Sequence, residues 1–312
     1  MLNTDFDVPG GTGGRGRGYP DDDISRFITS VSPHPIKVNG RFGDVFRGNH
    51  MTKGEVALKR LRIGSVGIDE EVIRRFEKEA ETWRRLKHPH VLEFLGTYKP
   101  EGHIYFVSPF AKSGTLLEYI IKGLDINRVR LLCETSDAID YLHRENFVHG
   151  DIKASNLFIS GDGHVLLCDF GLAKPTYAQT STGAGTLRWQ SPELWDDKPR
   201  TFASDVYAFS MTIVEVLTGL PPFSHLENEV AVILAVYHRD ERPVQSPLES
   251  NGVSNPDLYF SHILDFYLFC LLSTDTTRQL IPDLLSKDAS TTSATADMLR
   301  LYIELTISFG GG

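Results

Sequence analysis

The chain has 312 residues, 41% of them hydrophobic, so it is long enough for one large domain or two lobes around a real core. Its 32 Lys and Arg against 41 Asp and Glu give a net charge of −9, which excludes a general basic field for binding nucleic acid or an anionic membrane. The three widely spaced cysteines, Cys133, Cys168 and Cys270, argue against a disulfide framework or a zinc site and favour a reducing, intracellular compartment, cytoplasmic or nuclear.

The N-terminal segment, residues 1–22, is rich in Gly, Arg and Asp and poor in apolar side chains, so we expect a disordered leader. It has no signal-peptide pattern, and the longest apolar stretch of the chain, residues 263–272, is too short to cross a bilayer. The leader contains GTGGRG, a literal G-x-G-x-x-G match at Gly11, Gly13 and Gly16. No predicted strand precedes this match and no predicted helix follows it, so it does not indicate a dinucleotide-binding oxidoreductase.

From about residue 34 the pattern is that of strands, in IKVNGRFGDVFRGNH, EVALKRLRI and IYFVSPF, interrupted by one helical stretch over residues 69–87. After Lys112 helical patterns dominate, with one short β insertion at 157–168. Residues 204–219 are apolar nearly all the way round, with Ser204 as candidate N-cap and Gly219 as the expected end, which predicts a buried central helix. We therefore predict an α+β fold: a small, mostly β N-lobe with one helix and the connecting hinge (34–111), a larger, mostly α C-lobe (112–280), and a divergent tail (281–312).

The β insertion has Asp162 and Gly163 at its centre, a dipeptide that suits a two-residue type I′ hairpin. That register predicts that Asn156 faces Asp169 just beyond the paired strands, with Cα atoms roughly 5 Å apart. An Asn and an Asp side by side are hard oxygen ligands of the kind that Mg²⁺ prefers. The alternative is that the two residues merely cap the hairpin.

The helix at 69–87 has an apolar stripe of Val72, Phe76, Trp83 and Leu86, and Glu79 falls within it. A carboxylate on a buried stripe requires a partner. One candidate is Arg75, one turn earlier on the helix surface. The other is Lys59, at the end of the strand EVALK, which an ion pair would hold toward an anion in the cleft between the lobes.

The segment VNGRFGDV (38–45) places Gly40 and Gly43 inside a predicted β-hairpin. Glycines within a strand mark a bulge or a close approach of the backbone to another group. Here they would let the turn lie against phosphate groups.

Taken together, these motifs resemble the protein kinase domain, in that family's order, from about residue 36 to 243. VNGRFGDV resembles the Gly-rich loop, VALK the strand with the ATP-binding lysine, FEKEAETWRRLKHP the helix with its glutamate partner, and HGDIKASN the catalytic loop. They are followed by DFG at 169–171, by GTLRWQSPE (185–193) in place of the segment that ends in A-P-E, and by SDVYAFS with Asp205. The GT-x-x-W-x-x-PE form and HPHV are most similar to the tyrosine-kinase-like group, and the loop HGD lacks the usual arginine.

This resemblance implies a Ser/Thr protein kinase with ATP and Mg²⁺ as cofactors and proteins as substrates; it predicts no oligomeric state. Lys59, locked by Glu79, would hold the α- and β-phosphates. Asp151 would accept and orient the substrate hydroxyl, and Lys153 would neutralise charge on the γ-phosphoryl group. The motif DIK and the placement of Thr186 on the substrate side point to Ser/Thr acceptors.

The resemblance also assigns Asn156 and Asp169 as the Mg²⁺ ligands. Nucleotide-binding positions come from the Gly-rich loop, the sheet, the hinge and the floor of the cleft: Val38, Gly40, Gly43, Val45, Ala57, Lys59, Ser108, Pro109, Ala111 and Phe158. The small Ser108 would leave a back pocket open. Since Pro109 has no N–H, its carbonyl and the N–H of Ala111 would bond the adenine edge.

Four residues, Trp83, Phe94, His149 and Phe170, would stack as an internal spine between the lobes, although each also fits an ordinary core role. The sequence departs from the family at Gly150, where an arginine commonly grips a phosphorylated activation loop. We therefore expect activity that does not depend strongly on phosphorylation within 172–185.

Two further departures concern the Gly-rich loop and the tail. Val38 stands where the first glycine of the loop would be, and this substitution would stiffen the turn. In the tail, Arg278 is the candidate partner for Glu193, which would otherwise be a buried charge.

The alternative function is a catalytically weak pseudokinase that acts as a nucleotide-binding scaffold. Scaffolds of that kind tend to lose at least one of the core residues. This chain retains all five: Lys59, Glu79, Asp151, Asn156 and Asp169.

Overall fold

A computed structural model describes residues 22–39, 43–60, 70–100, 103–122, 126–175, 186–239, 241 and 243. Their elements form two lobes, as predicted. The N-lobe contains β1 (Ile28–Val31), β2 (Lys37–Asn39), β3 (Gly43–His50), β4 (Gly54–Arg60), α1 (Glu70–Arg85), β5 (Gly96–Tyr98) and β6 (Tyr105–Pro109). The C-lobe contains α2 (Leu116–Ile121), α3 (Arg128–Arg144), β7 (Phe147–Val148), β8 (Leu157–Ile159), β9 (Val165–Leu167), β10 (Lys174–Pro175), α4 (Phe202–Thr218) and α5 (Glu229–Ile233).

The N-lobe sheet is antiparallel, with strand order β1-β3-β4-β6-β5 and β2 paired to β3. Helix α1 packs on one face, where the rings of Phe76 and Phe106 stack with centroids 3.9 Å apart. The other face carries a separate apolar cluster that includes Val56, Leu58 and Val107. Because side chains alternate across a strand, Ala57 and Lys59 lie on the face of β4 opposite to Val56 and Leu58.

A segment at residues 22–31, called here the N-terminal strap, covers that second cluster with Ile24, Ile28 and Val31. The strap is tied to β5, because the backbone N–H of Thr97 donates to the Asp22 carbonyl at 2.8 Å. The carboxylate of Asp22 also forms an ion pair with Arg84 of α1. The sheet therefore begins at Ile28, before the predicted N-lobe boundary at residue 34, and Asp22 of the predicted leader is hydrogen-bonded to it.

The C-lobe is built around α4, which is buried along most of its length, as predicted. The predicted N-cap was wrong: Thr201 caps the helix, and Ser204 occupies the third helical position of a capping box with it. Gly219 ends the helix at a φ of 72°, the left-handed conformation that favours glycine. Within the described part of the chain, no helix is both long and apolar enough to span a bilayer.

The hairpin of β8 and β9 forms in a register one residue away from the predicted one. Leu157 pairs with Leu167, not with Cys168, and Asn156 therefore lies opposite Cys168, whose N–H donates to the Asn156 carbonyl at 3.0 Å. The reason is the turn, which has three residues between Ser160 and His164 and places Gly163 at a φ of 84°. A three-residue loop ending in a left-handed glycine replaces the two-residue type I′ turn.

Candidate active site

Three charged side chains from different elements meet at the junction of the lobes. Lys59 Nζ on β4 lies 3.4 Å from Glu79 Oε1 on α1 and 3.0 Å from Asp169 Oδ1, which follows β9. All three side chains are at most one-quarter exposed. The partner of Glu79 is therefore Lys59; the side chain of Arg75 lies outside the described residues. Glu79 shares the buried face of α1 with Phe76 and Trp83, as the apolar stripe predicted.

The charges in this cluster shift one another's pKa values. Burial opposes the charge on Lys59, but the carboxylates of Glu79 and Asp169 outweigh it and hold the pKa of Lys59 above its ordinary value. Burial raises the pKa of Glu79, and the neighbouring Asp169 adds to that rise while Lys59 offsets part of it. A lysine beside two carboxylates stays charged, so this ammonium group suits an anionic ligand in the cleft.

A second cluster surrounds Asp151 in the irregular segment between β7 and β8. Its Oδ2 atom accepts hydrogen bonds from Lys153 Nζ at 2.7 Å and from Asn156 Nδ2 at 3.0 Å. Its Oδ1 atom accepts from the Oγ1 hydroxyl of Thr186 at 2.8 Å. Lys153 Nζ also bonds Thr186 Oγ1, which closes a network of carboxylate, ammonium and hydroxyl groups.

Asp151 is 5% exposed, and burial alone would raise the pKa of its carboxyl group. The nearby Lys153 and the hydroxyl of Thr186 outweigh burial and hold that pKa below its ordinary value. Asp151 is therefore an ionised hydrogen-bond acceptor at neutral pH, and it orients a donor better than it removes a proton outright.

The predicted metal ligands, Asn156 and Asp169, both line the cleft between the lobes. The wrong hairpin register does not separate them, because Asp169 directly follows Cys168, the residue opposite Asn156. Asp169 adopts a φ of 69° and a ψ of 70°, so the chain turns sharply at this residue. Asn156 Nδ2 donates to Asp151, which leaves its carbonyl oxygen as the ligand atom. An amide oxygen and a carboxylate fit the donor set of Mg²⁺.

The cleft has a volume of about 680 Å³, enough for a nucleotide-sized molecule. It is lined by residues predicted to bind the nucleotide: Val45, Ala57, Lys59, Ser108, Pro109, Ala111 and Phe158. Val38 and Gly43 belong to the β2–β3 hairpin, in which Val38 pairs with Asp44 and Gly43 pairs with Asn39. Gly40 lies outside the described residues, and the sequence did not single out Ile36, which lines the cleft just before this hairpin.

The backbone of the hinge is tied to the N-lobe sheet at Pro109 and Phe110. Pro109 ends β6 opposite Val56, and the N–H of Phe110 donates to the Glu55 carbonyl at 3.1 Å. The N–H of Phe110 is therefore used within the sheet. Pro109 and Ala111, on either side of Phe110 in the chain, both line the cleft, and their bonds to an adenine stay a prediction. The side chain of Ser108 is 6% exposed at the back of the cleft, where it leaves room beside Phe106 and Trp83.

The four spine residues form one continuous stack through the junction of the lobes. Ring centroids are 5.3 Å apart for Phe94 and Trp83, 5.9 Å for Trp83 and Phe170, and 5.4 Å for Phe170 and His149. Asp205 on α4 anchors the stack, since its Oδ2 atom accepts from the His149 N–H at 2.8 Å. The stack connects α1 with α4 through Phe170, which follows Asp169, and His149, which lies two residues before Asp151.

Sequence reasoning missed Glu215, which is 3% exposed on α4. Its Oε2 atom accepts from the Ala154 N–H at 2.9 Å and from Trp189 Nε1 at 3.1 Å, so it links the catalytic loop to the segment after Thr186. Burial raises its pKa to about 7 despite these two donors. The only sequence signal was a glutamate within an otherwise apolar helix pattern.

The predictions for the activation segment and the tail have different outcomes. Glu193 is partly exposed, so the expectation that it would be a buried charge was wrong; it sits in a short 3₁₀ turn near the surface. Arg278, its candidate partner, lies outside the described residues, as do the acceptor side chains at 176–182.

Comparisons with known proteins agree with this geometry. Residues 39–300 match the protein kinase domain family, and the match extends past the predicted C-lobe end at residue 280. The serine/threonine-protein kinase STY17 of Arabidopsis thaliana is 31% identical over 213 residues, 65% of this chain and 36% of that protein. STY46 of the same plant is 29% identical over 212 residues, 66% of this chain and 36% of that protein.

A third relative, the serine/threonine-protein kinase dst1 of Dictyostelium discoideum, is 26% identical over 272 residues, or 85% of this chain and 35% of that protein. The chain thus spans about a third of the length of these curated relatives.

Proposed function

The chain belongs to the protein kinase domain family, and we propose that it is an active enzyme that transfers the γ-phosphoryl group of ATP to Ser or Thr hydroxyls of protein substrates. The observation that carries this proposal is the Asp151 network. An ionised carboxylate, a lysine and a threonine hydroxyl are hydrogen-bonded to one another, and the lysine, Lys153, also lines the nucleotide-sized cleft. The names of the similar plant and amoebal proteins support Ser/Thr specificity.

Phosphoryl transfer requires that the phosphates be held, their charge be neutralised and the acceptor hydroxyl be aimed in line. Lys59, which forms an ion pair with Glu79, would bind the nucleotide phosphates. The acceptor oxygen forms a bond to the γ-phosphorus as the bond from that phosphorus to the β-phosphate oxygen breaks, so ADP leaves. Asp151 accepts the hydrogen bond of the hydroxyl and takes its proton late in the transfer.

Lys153 lies beside Asp151 and supplies positive charge where the transferred group passes. Thr186 bonds both residues, so it fixes their relative positions and marks the side on which the acceptor enters. Asn156 and Asp169 would hold Mg²⁺, which when bound neutralises charge on the phosphate oxygens.

The alternative, a pseudokinase scaffold, predicts that the nucleotide binds without being consumed. Two observations favour the enzyme over this alternative. The first is that the Lys59 to Glu79 ion pair and the aromatic spine are both formed, although a scaffold needs neither. The second is that Asp151 is ionised and hydrogen-bonded on both oxygen atoms.

A transfer assay tests this proposal. The full chain is incubated with Mg²⁺, γ-labelled ATP and a generic basic protein, beside the variant Asp151→Asn, and labelled amino acids are then identified. We expect phosphoserine or phosphothreonine with the wild type and a loss of at least about 100-fold with the variant. Transfer that persists in the variant would show that the base is another residue. Nucleotide binding without transfer in the wild type would favour the scaffold.

A further inference from the structure

Gly150, immediately before Asp151, has a backbone conformation and surroundings that strongly favour glycine. Its φ is 83°, in the left-handed region that other residues rarely adopt. A Cβ atom added here would lie 2.7 Å from Cδ and 3.0 Å from Nε of Arg200, and 3.5 Å from Cβ of Leu172. The side chain of Arg200 thus occupies the space next to the catalytic loop where a side chain at position 150 would begin.

Arg200 is itself unusual, because an arginine that is only 6% exposed must have its charge compensated. It comes from the loop that precedes α4, some fifty residues after Gly150 in the chain. Its Nε donates to the Gly150 carbonyl at 3.3 Å. With Gly150, Asp151 and Thr186, it lines a small pocket beside the catalytic loop.

The residue before Asp151 is therefore held on both sides. The N–H of Gly150 donates to Asp205 Oδ1 at 2.8 Å, and its carbonyl accepts from Arg200. That carbonyl belongs to the peptide bond that joins Gly150 to Asp151. Movement of this peptide would move the Asp151 carboxylate, and a displacement of about 1 Å is enough to cost a large factor in rate.

We propose that Arg200 is a positioning residue for Asp151, and that it supplies from the loop before α4 the buried cation that the catalytic loop lacks at position 150. This inference rests on the proposed phosphoryl transfer. It explains why glycine, not merely any residue other than arginine, precedes Asp151. Because the cation is built into the fold, its placement requires no phosphate group on the activation segment.

The first experiment measures kcat and the KM for ATP of the full chain with Arg200→Met, Arg200→Lys and a control, Lys198→Met, which removes an exposed cation from the same loop. We expect Arg200→Met to lower kcat by about tenfold or more, with the KM for ATP within about twofold, because the Lys59 cluster is untouched. Arg200→Lys keeps the charge and recovers part of kcat, and Lys198→Met changes neither constant. If Arg200 served only to stabilise the fold, Arg200→Met would have a lower melting temperature and a smaller active fraction, and Arg200→Lys would not recover kcat. That result would overturn the positioning role.

The second experiment tests the shared space without relying on activity. Gly150→Ala is made in the wild type and in Arg200→Ala, and the melting temperatures are compared as a double-mutant cycle. We expect Gly150→Ala to cost several degrees in the wild type and clearly less in Arg200→Ala, where only the strain of the positive φ remains. Equal losses in both backgrounds would overturn the inference.

The two proposals fail in different ways. Wild-type transfer with an unchanged kcat in Arg200→Met overturns the positioning role alone. An absence of transfer in the wild type overturns the proposed function and, with it, any catalytic part for Arg200, while the melting cycle still decides whether Arg200 and Gly150 occupy one space.

Discussion

Lys59 Nζ and Asp169 Oδ1 lie 3.0 Å apart, although 110 residues separate them in the sequence. One belongs to the N-lobe sheet and the other follows the β8–β9 hairpin of the C-lobe, so this contact joins the two lobes across the cleft. With Glu79 as a second carboxylate, the lysine is held by residues from both lobes. The cleft is therefore lined by a fixed cation from the N-lobe and by the oxygen atoms of Asn156 and Asp169 from the C-lobe.

Removing this cation should abolish most of the activity. In Lys59→Met the phosphates lose a charged donor in a partly buried site, which costs about 100-fold to 1,000-fold in kcat/KM. The matched control is Lys53→Met, which removes a lysine whose side chain is 51% exposed and which pairs with Glu93 at the surface. Steady-state transfer rates check this, and a Lys59→Met variant within about threefold of the wild type would contradict the assignment.

Glu215 predicts a pH-dependent stability. Its pKa is about 7 in the folded chain against an ordinary 4.5, so as the pH rises from 4.5 to 7 the unfolded chain releases this proton before the folded chain does. The wild type should therefore lose stability over this window, by roughly 3 kcal/mol at pH 8, relative to Glu215→Gln, which keeps an oxygen acceptor for Ala154 and Trp189. Melting temperatures at pH 5, 6, 7 and 8 test this. If the difference between the two proteins does not change with pH, Glu215 titrates normally.

The N-terminal strap should stabilise the N-lobe and hold α1. Truncations that begin at residues 21 and 32 differ by Asp21 and the strap, and we expect the shorter chain to melt several degrees lower because the sheet loses Ile24, Ile28 and Val31. Asp22→Asn, which removes the ion pair with Arg84, should give part of this loss. Equal melting temperatures of the two truncations would show that the strap contributes nothing.

Gly96 gives an independent check on the strap. A Cβ atom at this position would lie 2.6 Å from the Asp22 carbonyl oxygen, and its φ is 147°. Gly96→Ala should therefore destabilise the chain that starts at residue 21 more than the chain that starts at residue 32. The same loss in both chains would place the cause in the backbone of β5 alone.

Ser108 should allow enlarged nucleotides to enter the cleft. Its small side chain lies at the back of the cavity with Leu92 and Phe106, so N6-benzyl-ATP should serve as a phosphoryl donor. Ser108→Phe should raise the KM for that analogue by about tenfold or more and change the KM for ATP by less than about threefold. Ser108→Ala is the matched control and should accept both donors. Rejection of the analogue by the wild type would show that the back of the cavity is closed.

Phosphorylation of the activation segment should not be needed for activity. Its candidate acceptors, replaced together by Ala or Phe, are Thr176, Tyr177, Thr180, Ser181 and Thr182. Because Arg200 supplies a fixed cation next to Gly150, we expect the variant to keep kcat within about threefold of the wild type. Abolished transfer in this variant would overturn the expectation.

Much of this fold could be predicted from the sequence because the patterns that indicate its helices and strands are local. Periodicity located α1 and α4, and Gly219 marked the end of α4 correctly. The partner of Glu79 was one of two candidates in the sequence, and only the packing of α1 on the sheet decides for Lys59. The hairpin register was misjudged because Asp162 and Gly163 fit both a two-residue and a three-residue turn, and only the partner strand selects between them.

Other features depend on contacts between distant segments, which no local pattern encodes. The strap residues are few and mixed in character, and they become part of the sheet only when β3 and β5 are present to pair with them. The role of Gly150 was visible only as a missing arginine. That Arg200 fills the space follows from the approach of the loop before α4, which the sequence does not specify by itself.

The most direct measurement is a crystal structure of the chain with Mg²⁺ and a non-hydrolysable ATP analogue. We expect one nucleotide in the cleft, with Mg²⁺ bound by Asp169 and Asn156, the Lys59 ammonium on a phosphate, and the γ-phosphate facing Asp151. A nucleotide bound elsewhere, or one whose phosphates point away from Asp151 and Asp169, would contradict it.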